Sequence, residues 1–352
     1  MTSRRTDAAS AAAAPAAGQT PHIAEAVVPV LRTGHGAAHA KSILLGEHAV
    51  VYGAPAIAIP IHELETIATV TAATGRGTLD SDLYTGPLDA APERLRPVLT
   101  ALLAASARIR GAEPDDRGTP IDPRLIPAVD LQIRSTIPHE RGLGSSAAVA
   151  AAIARAVHDA AERPLDSDAL FSLIQTSERA AHGNPSGIDA RTVTSPVPIR
   201  FDRGEAVQIT LGSPLILTVA DTGSSGSTTQ AVGGVRARRE QAPRETDALL
   251  NRLAQIAEGA IADLESGAVE SVGARMREAH GILHRVGVSS DRLDAIVDAA
   301  HRAESPGAKL TGGGLGGCVI AVARDTAHAD ALGHAMRRAG AQHTWTVEVP
   351  AE

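Results

Sequence analysis

The chain has 352 residues, a net charge of −7, 43% hydrophobic and 21% charged residues, and only one Trp, two Tyr and two Phe. This composition excludes a disordered chain and leaves aliphatic side chains to do nearly all the packing, while the acidic balance and scarce aromatics argue against nucleic-acid binding. Among 33 basic residues only Lys41 and Lys309 are lysine, and Cys318 is the one cysteine, so no internal disulfide can form and a reducing, cytoplasmic compartment is expected.

The Ala/Pro-rich segment 1–26 reads as a disordered tail, because Pro15 and Asp7 spoil it as an export signal. No apolar run approaches the length of a membrane span. Strand-like runs follow at 27–31, 42–45, 56–61 and 65–71, then a helix-spaced stretch at 92–110 with Leu95, Val98, Leu99, Leu102 and Leu103. A charged, Pro/Gly-rich connection at 111–123 leads to an alternating strand at 129–134 and two helices, 146–161 and 166–181. Strands at 198–201, 207–211 and 215–220 precede a long helical region, 227–303. A strand at 317–323, a helix at 327–338 and a strand at 344–349 complete the pattern. Strands and helices do not alternate one for one, so the expected class is α+β with two domains. The domains are placed at 27–213 and 214–343, with a last strand in 344–352 that can return to the first domain.

Five segments could carry chemistry. In Pro138-His139-Glu140-Arg141-Gly142-Leu143-Gly144-Ser145-Ser146-Ala147, a strand passes through a Gly/Ser loop into a helix. Glycines let the backbone approach an anion, and the helix N-terminus supplies free N–H donors; a plain helix cap at Ser145 or Ser146 is the bland alternative. The same residues spell Gly-x-Gly-x-x-Ala, but residues 136–141 intervene after the strand and no second strand carries the acid that a dinucleotide site needs. Around Thr311-Gly312-Gly313-Gly314-Leu315-Gly316-Gly317, the glycines abut an apolar strand, which favours a site-lining loop over a linker.

Lys41 leads an apolar run ending in Gly46-Glu47-His48, so its ammonium is expected to point into a site; a snorkelling lysine beside a surface acid and base is the alternative. Glu178 closes a helix, and the turn His182-Gly183-Asn184-Pro185-Ser186-Gly187 brings Asp189 back towards it. Two such carboxylates can divide metal ligation and proton acceptance, or merely end one helix and cap the next. Finally, Asp221-Thr222-Gly223-Ser224-Ser225-Gly226-Ser227-Thr228 passes from a strand to a helix and is a second candidate anion cradle, or an N-cap.

Together and in this order, the segments resemble the GHMP kinases, and within them the mevalonate kinases. The resemblance runs from about Val30 to the C-terminus. It implies a two-domain fold, the first domain of ribosomal-protein-S5-like topology and the second α+β, with the active site in the cleft between them. It also implies ATP and Mg²⁺, mevalonate as the small-molecule substrate, no nucleic-acid or membrane partner, and a homodimer. Carried over, Asp189 is the base and Lys41 its cationic neighbour. Pro138, Gly142, Leu143, Gly144, Ser145, Ser146 and Ala147 bind ATP, while Ser146 and Glu178 hold the metal. Lys41, Glu47, His48, Asp189, Thr228, Gly313 and Gly314 face the substrate. No role falls to Lys309. Phosphomevalonate kinase is the nearest rival; it needs extra cations, for which Arg191 and Arg200 are the candidates. A non-catalytic nucleotide-binding module would need neither Lys41 nor Asp189.

Overall fold

Small residues decide how the first layer packs. In the computed structural model, which describes residues 30, 32–112 and 122–351, β1 (Gly34–Leu45) presents Gly34 and Gly36 to the alanine-rich helix α2 (Ser145–Ala160). A Cβ on Gly36 would stand 2.1 Å from the Ala152 carbonyl oxygen, and one on Gly34 would stand 2.2 Å from that of Ala156. Helix and strand therefore meet backbone to backbone. Alanines bury nearly the whole circumference of α2, as a helix wrapped by protein requires.

The chain then forms β2 (Ala56–Ala72), β3 (Thr78–Asp80), β4 (Thr85–Pro87), α1 (Arg96–Ile109) and β5 (Val129–Ser135). After α2 come α3 (Ser167–His182), the short α4 (Ile188–Thr192), β6 (Ile199–Asp202) and β7 (Glu205–Gln208). These strands make a seven-stranded sheet, ordered β4-β3-β5-β2-β6-β7, with β1 laid antiparallel on β2. The remaining elements are β8 (Leu215–Asp221), α5 (Thr228–Gln241), α6 (Pro243–Glu265), α7 (Val269–Arg285), α8 (Asp291–Arg302), β9 (Ala308–Thr311), β10 (Cys318–Ala323), α9 (Thr326–Arg338) and β11 (His343–Val349). They build an antiparallel four-stranded sheet, β11-β8-β10-β9, with α7, α8 and α9 packed against it.

Several expectations change. The tail at 1–26 and most of the strand at 27–31 lie outside the described residues. The strands at 56–61 and 65–71 are one strand, interrupted by a bulge: β1 pairs His39 with Glu65 but Ala40 with Ile61. The final strand runs its ladder along β8 of the second sheet and also lies against β2 of the first, where the Glu348 N–H donates to Glu63 Oε1 at 3.0 Å. Among the described residues no helix is long and apolar enough to cross a membrane.

Because the Gly36 contact is made by main-chain atoms that cannot rotate away, Gly36→Val should cost about 3 kcal/mol or more. A clear fall in the unfolding midpoint checks this; an unchanged midpoint would show that α2 can slide on β1.

Candidate active site

Three glycine loops meet where the two sheets adjoin. The first ends in Gly142 and Gly144, both at φ 75°, a left-handed conformation that disfavours any residue with a Cβ. Gly144 is the N-cap of α2 and offers no side chain, so the first N–H groups of the helix, at Ser145 to Ala147, have no partner within it. Such an end is a ready anion cradle. Gly142 lies against Gly312 of the second loop, where an added Cβ would come within 3.4 Å of the Gly312 Cα. Gly226 of the third loop lies against the Gly314 carbonyl, and its N–H donates to the Glu140 carbonyl at 3.1 Å.

The charged groups converge on the same cradle. The bulge in β2 re-aims the end of β1, and the Lys41 N–H leaves the sheet to donate to the Leu143 carbonyl at 3.0 Å. The Lys41 side chain, 3% exposed, reaches Asp189 Oδ1 at 2.8 Å, whereas Asp189 remains 34% exposed. Gly144 packs directly against the Lys41 stem: an added Cβ would fall 2.8 Å from the lysine Cγ. Asp189 sits in the first turn of α4, after Gly187 at φ 94°, and so returns towards Glu178 in the last turns of α3. Burial first, and then the charge of Asp189, raises the Glu178 carboxyl above its usual range, while the Ser146 hydroxyl bonds to it. Glu178 Oε1 is buried without a hydrogen-bond partner. A buried, unsatisfied carboxylate oxygen beside a hydroxyl fits a hard divalent cation.

Two family models match the chain: GHMP kinases N terminal domain over residues 103–195 and GHMP kinases C terminal over residues 260–342. A mevalonate kinase of Aeropyrum pernix is 32% identical over 84% of this chain and 90% of its own length. The chain belongs to the GHMP kinases. Its fold is also that of two solved mevalonate kinases. One, from methicillin-resistant Staphylococcus aureus, is 29% identical with a TM-score of 0.67 over 91% of this chain and 100% of that one. The other, from L. major in complex with R-mevalonate, is 24% identical with a TM-score of 0.76 over 91% and 97%.

In this GHMP kinase the structure gathers Lys41, Ser146, Glu178 and Asp189 at one point, with Gly142 and Gly144 beside them. Leu143 and Ala147 are fully buried, so only their main chains could meet a ligand, and Pro138 is half-buried at the loop entrance. Thr228 opens α5 and is exposed; Gly313 lies under it, since a Cβ there would approach Thr228 Oγ1 to 3.0 Å. His48 Nε2–H donates to the Gly313 carbonyl at 2.9 Å. Gly314 is buried against the Val288 carbonyl.

Glu47 is a correction. It was expected to face the substrate, yet it is 1% exposed and ion-paired with Lys309, itself 0% exposed. An anion beside an apolar run is held inside by the nearest buried cation, and here that cation lies far along the chain. Two of the quoted loop residues pair in a way the sequence does not foretell: Arg141 meets Asp221 Oδ1 at 2.8 Å, which also accepts the Gly223 N–H at 2.7 Å. The signal available was for the turn alone, an Asp two residues before a turn glycine, ending a strand.

Two predictions follow from this geometry. Gly144→Ala would press on the Lys41 stem at a left-handed position and should lower kcat by about tenfold or more, without loss of fold; steady-state kinetics and circular dichroism check it. Burial lowers His48 to about 4 and His280 to about 4, the latter only partly opposed by Asp294. Both start from 6.5, so the unfolded chain takes up protons that the native state refuses. Their stabilisation, up to about 3 kcal/mol each, is complete above pH 6.5 and should be lost as pH falls towards 4. Denaturant titrations across that window, repeated on His280→Gln, should show a shallower pH slope in the variant.

Proposed function

We propose that this chain is a mevalonate kinase, transferring the γ-phosphoryl group of ATP to the C5 hydroxyl of (R)-mevalonate to give (R)-5-phosphomevalonate. The observation that carries this reading is the Lys41–Asp189 contact of 2.8 Å, set beside the open helix end of α2 and the unsatisfied Glu178. The relatives' names supply the substrate.

In this mechanism Asp189, half-exposed, accepts the proton of the substrate hydroxyl as the phosphoryl group leaves ATP. Lys41, buried behind it at 2.8 Å, offers positive charge to the transferring group. The N–H groups at the start of α2, with Ser145 and the Gly142–Gly144 backbone, receive the phosphates. Ser146 and Glu178 would hold Mg²⁺, which when bound neutralises charge on the phosphates. His48 fixes the Gly313 carbonyl and thereby the loop that closes one wall, while Thr228 faces the site from the start of α5. Phosphoryl transfer is mostly positioning and charge stabilisation, so this set suffices.

The two arginines that could have served a phosphorylated substrate are engaged elsewhere. Arg191 stacks over the Phe171 ring at 3.9 Å and Arg200 pairs with Asp202 and Glu258, both at 3.2 Å. This favours the unphosphorylated substrate over 5-phosphomevalonate.

ADP release should be seen with mevalonate and be weak or absent with 5-phosphomevalonate, homoserine and galactose; no turnover on mevalonate would sink the assignment. Asp189→Asn should lower kcat by about a thousandfold, within the usual range for removal of a general base. ATP affinity by calorimetry should change little, and a large loss of ATP binding would mean that Asp189 serves the nucleotide.

A further inference from the structure

The pair formed by Lys309 and Glu47 is the most deeply buried ion pair among the described residues, and the mechanism above makes no use of it. Its two halves belong to different sheets. Lys309 lies on β9, and Glu47 lies in the turn that follows β1. Lys309 Nζ also approaches the Ile43 carbonyl at 3.5 Å. Two residues further along β9, hence on the same face of the strand, Thr311 Oγ1 meets three groups of β1. They are the Ser42 hydroxyl at 2.9 Å, the Ile43 N–H at 3.1 Å and the Ile43 carbonyl at 3.0 Å.

These contacts fall where β1 slips its register on β2, between Ile43 and Leu45. Main-chain groups released by that irregularity are taken up by side chains of the other sheet. One end of this junction is Lys41, two residues before Ile43 on β1; the other is Gly312, immediately after Thr311. The junction therefore spans the two parts of the site that must keep a fixed separation: the cation beside the base, and the glycine loop that lies on Gly142 and under Thr228.

We infer that Lys309 and Glu47 are positioning residues for phosphoryl transfer: their buried pair, with Thr311, fixes the glycine loop of the second sheet relative to Lys41 and Asp189 on the first. Burial alone does not explain the pair. Two apolar side chains of similar size would fill the same space, commonly with equal or better stability, because desolvating two charges offsets their attraction. Apolar contact is non-directional, however. An ammonium shared between a carboxylate and a carbonyl fixes distance and register together. Glu47 Oε2 has no hydrogen-bond partner, so the carboxylate is held through one oxygen by Lys309. Burial raises Glu47 and lowers Lys309, each tempered by the other's charge, so losing either partner leaves a group that must neutralise itself.

The inference rests on the phosphoryl-transfer reading for its kinetic readout and on nothing else for its structural one. The test compares Lys309→Met, Glu47→Leu, the double variant and the conservative Glu47→Asp. Each of the first two strands a buried charge and should lower the thermal midpoint by roughly 10 °C. The double variant should regain most of that loss. Its kcat should nevertheless stay about 10- to 100-fold below the parent, with ATP and mevalonate KM within about threefold and ATP-binding stoichiometry unchanged. Glu47→Asp, which keeps the charge and withdraws it by one methylene, should fold and lose about tenfold in kcat. Amide exchange over 312–317 should quicken in the double variant and in Glu47→Asp.

Parent-like kcat in either of those two variants would overturn the inference, leaving the pair as packing only. Unchanged exchange over 312–317 in both would overturn it equally. If the unaltered protein transfers phosphate to no alcohol tested, the functional reading fails, while the midpoints and the exchange still decide whether the pair fixes the loop.

Discussion

Close approach of main chains is the constraint on which this structure depends. β1 meets α2 through Gly34 and Gly36, the loop at Gly142 meets the one at Gly312, and Gly226 meets the Gly314 carbonyl. At Gly34, Gly36 and Gly226 a single methyl group would collide with backbone, and at Gly312 it would press on Gly142. The composition follows from this. A chain built around such distances has use for alanine and glycine and little room for aromatic rings, and the alanine-covered α2 is the element that turns the rule into a core. The same closeness serves the chemistry, since amide donors can surround a polyanion only if no side chains intervene.

Charge is rationed by the same geometry. Both lysines of the chain are buried, and each is matched to one carboxylate: Lys41 to Asp189 and Lys309 to Glu47. Arginine fills the solvated positions. A guanidinium carries five donors in a rigid fork, which a dry glycine-lined seam cannot satisfy, whereas an ammonium is compact and turns its three donors to whatever is near. Where an arginine does enter the loops, at Arg141, it stays partly exposed and lies against Asp221 at a strand end. The two lysine pairs differ in one respect that separates their roles. Asp189 is open to solvent on one side, and Glu47 is sealed. An open carboxylate can take a proton from a ligand; a sealed one can only hold a shape.

Much of the site was legible because glycine and charge were written next to each other. Gly142 and Gly144 before Ser146, and Gly187 before Asp189, mark backbone turns that aim the following residue, and the structure places them so. What could not be read was pairing at a distance. Lys309 and Glu47 are 262 positions apart, and nothing local tells a buried glutamate from a substrate-facing one. β9 went unseen because Ala-Lys-Leu-Thr carries a lysine where a buried strand is expected to be apolar, though all four residues are buried. β2 was read as two strands because His62 and Glu63, exposed at the bulge, broke the run of buried residues. β3 and α4 have three and five residues, too few for any periodicity to show.

The two sheets also divide the labour of the site. Strand β1 of the first sheet brings Lys41, and the helices around it bring Ser146, Glu178 and Asp189, all on elements fixed by dense packing. The second sheet brings no titratable group to that point. It supplies backbone, in the loop from Gly312 to Gly317, and the start of α5. A reaction limited by positioning gains from such a division: the groups that carry charge stay rigid, and the groups that complete the enclosure can be ordered against them. The weak point of any such design is the seam between the halves, because a small relative shift there separates charge from enclosure without disturbing either fold. In this chain β1 and β9 meet along that seam through polar contacts of fixed direction, where apolar ones would have held the halves together but left them free to slide.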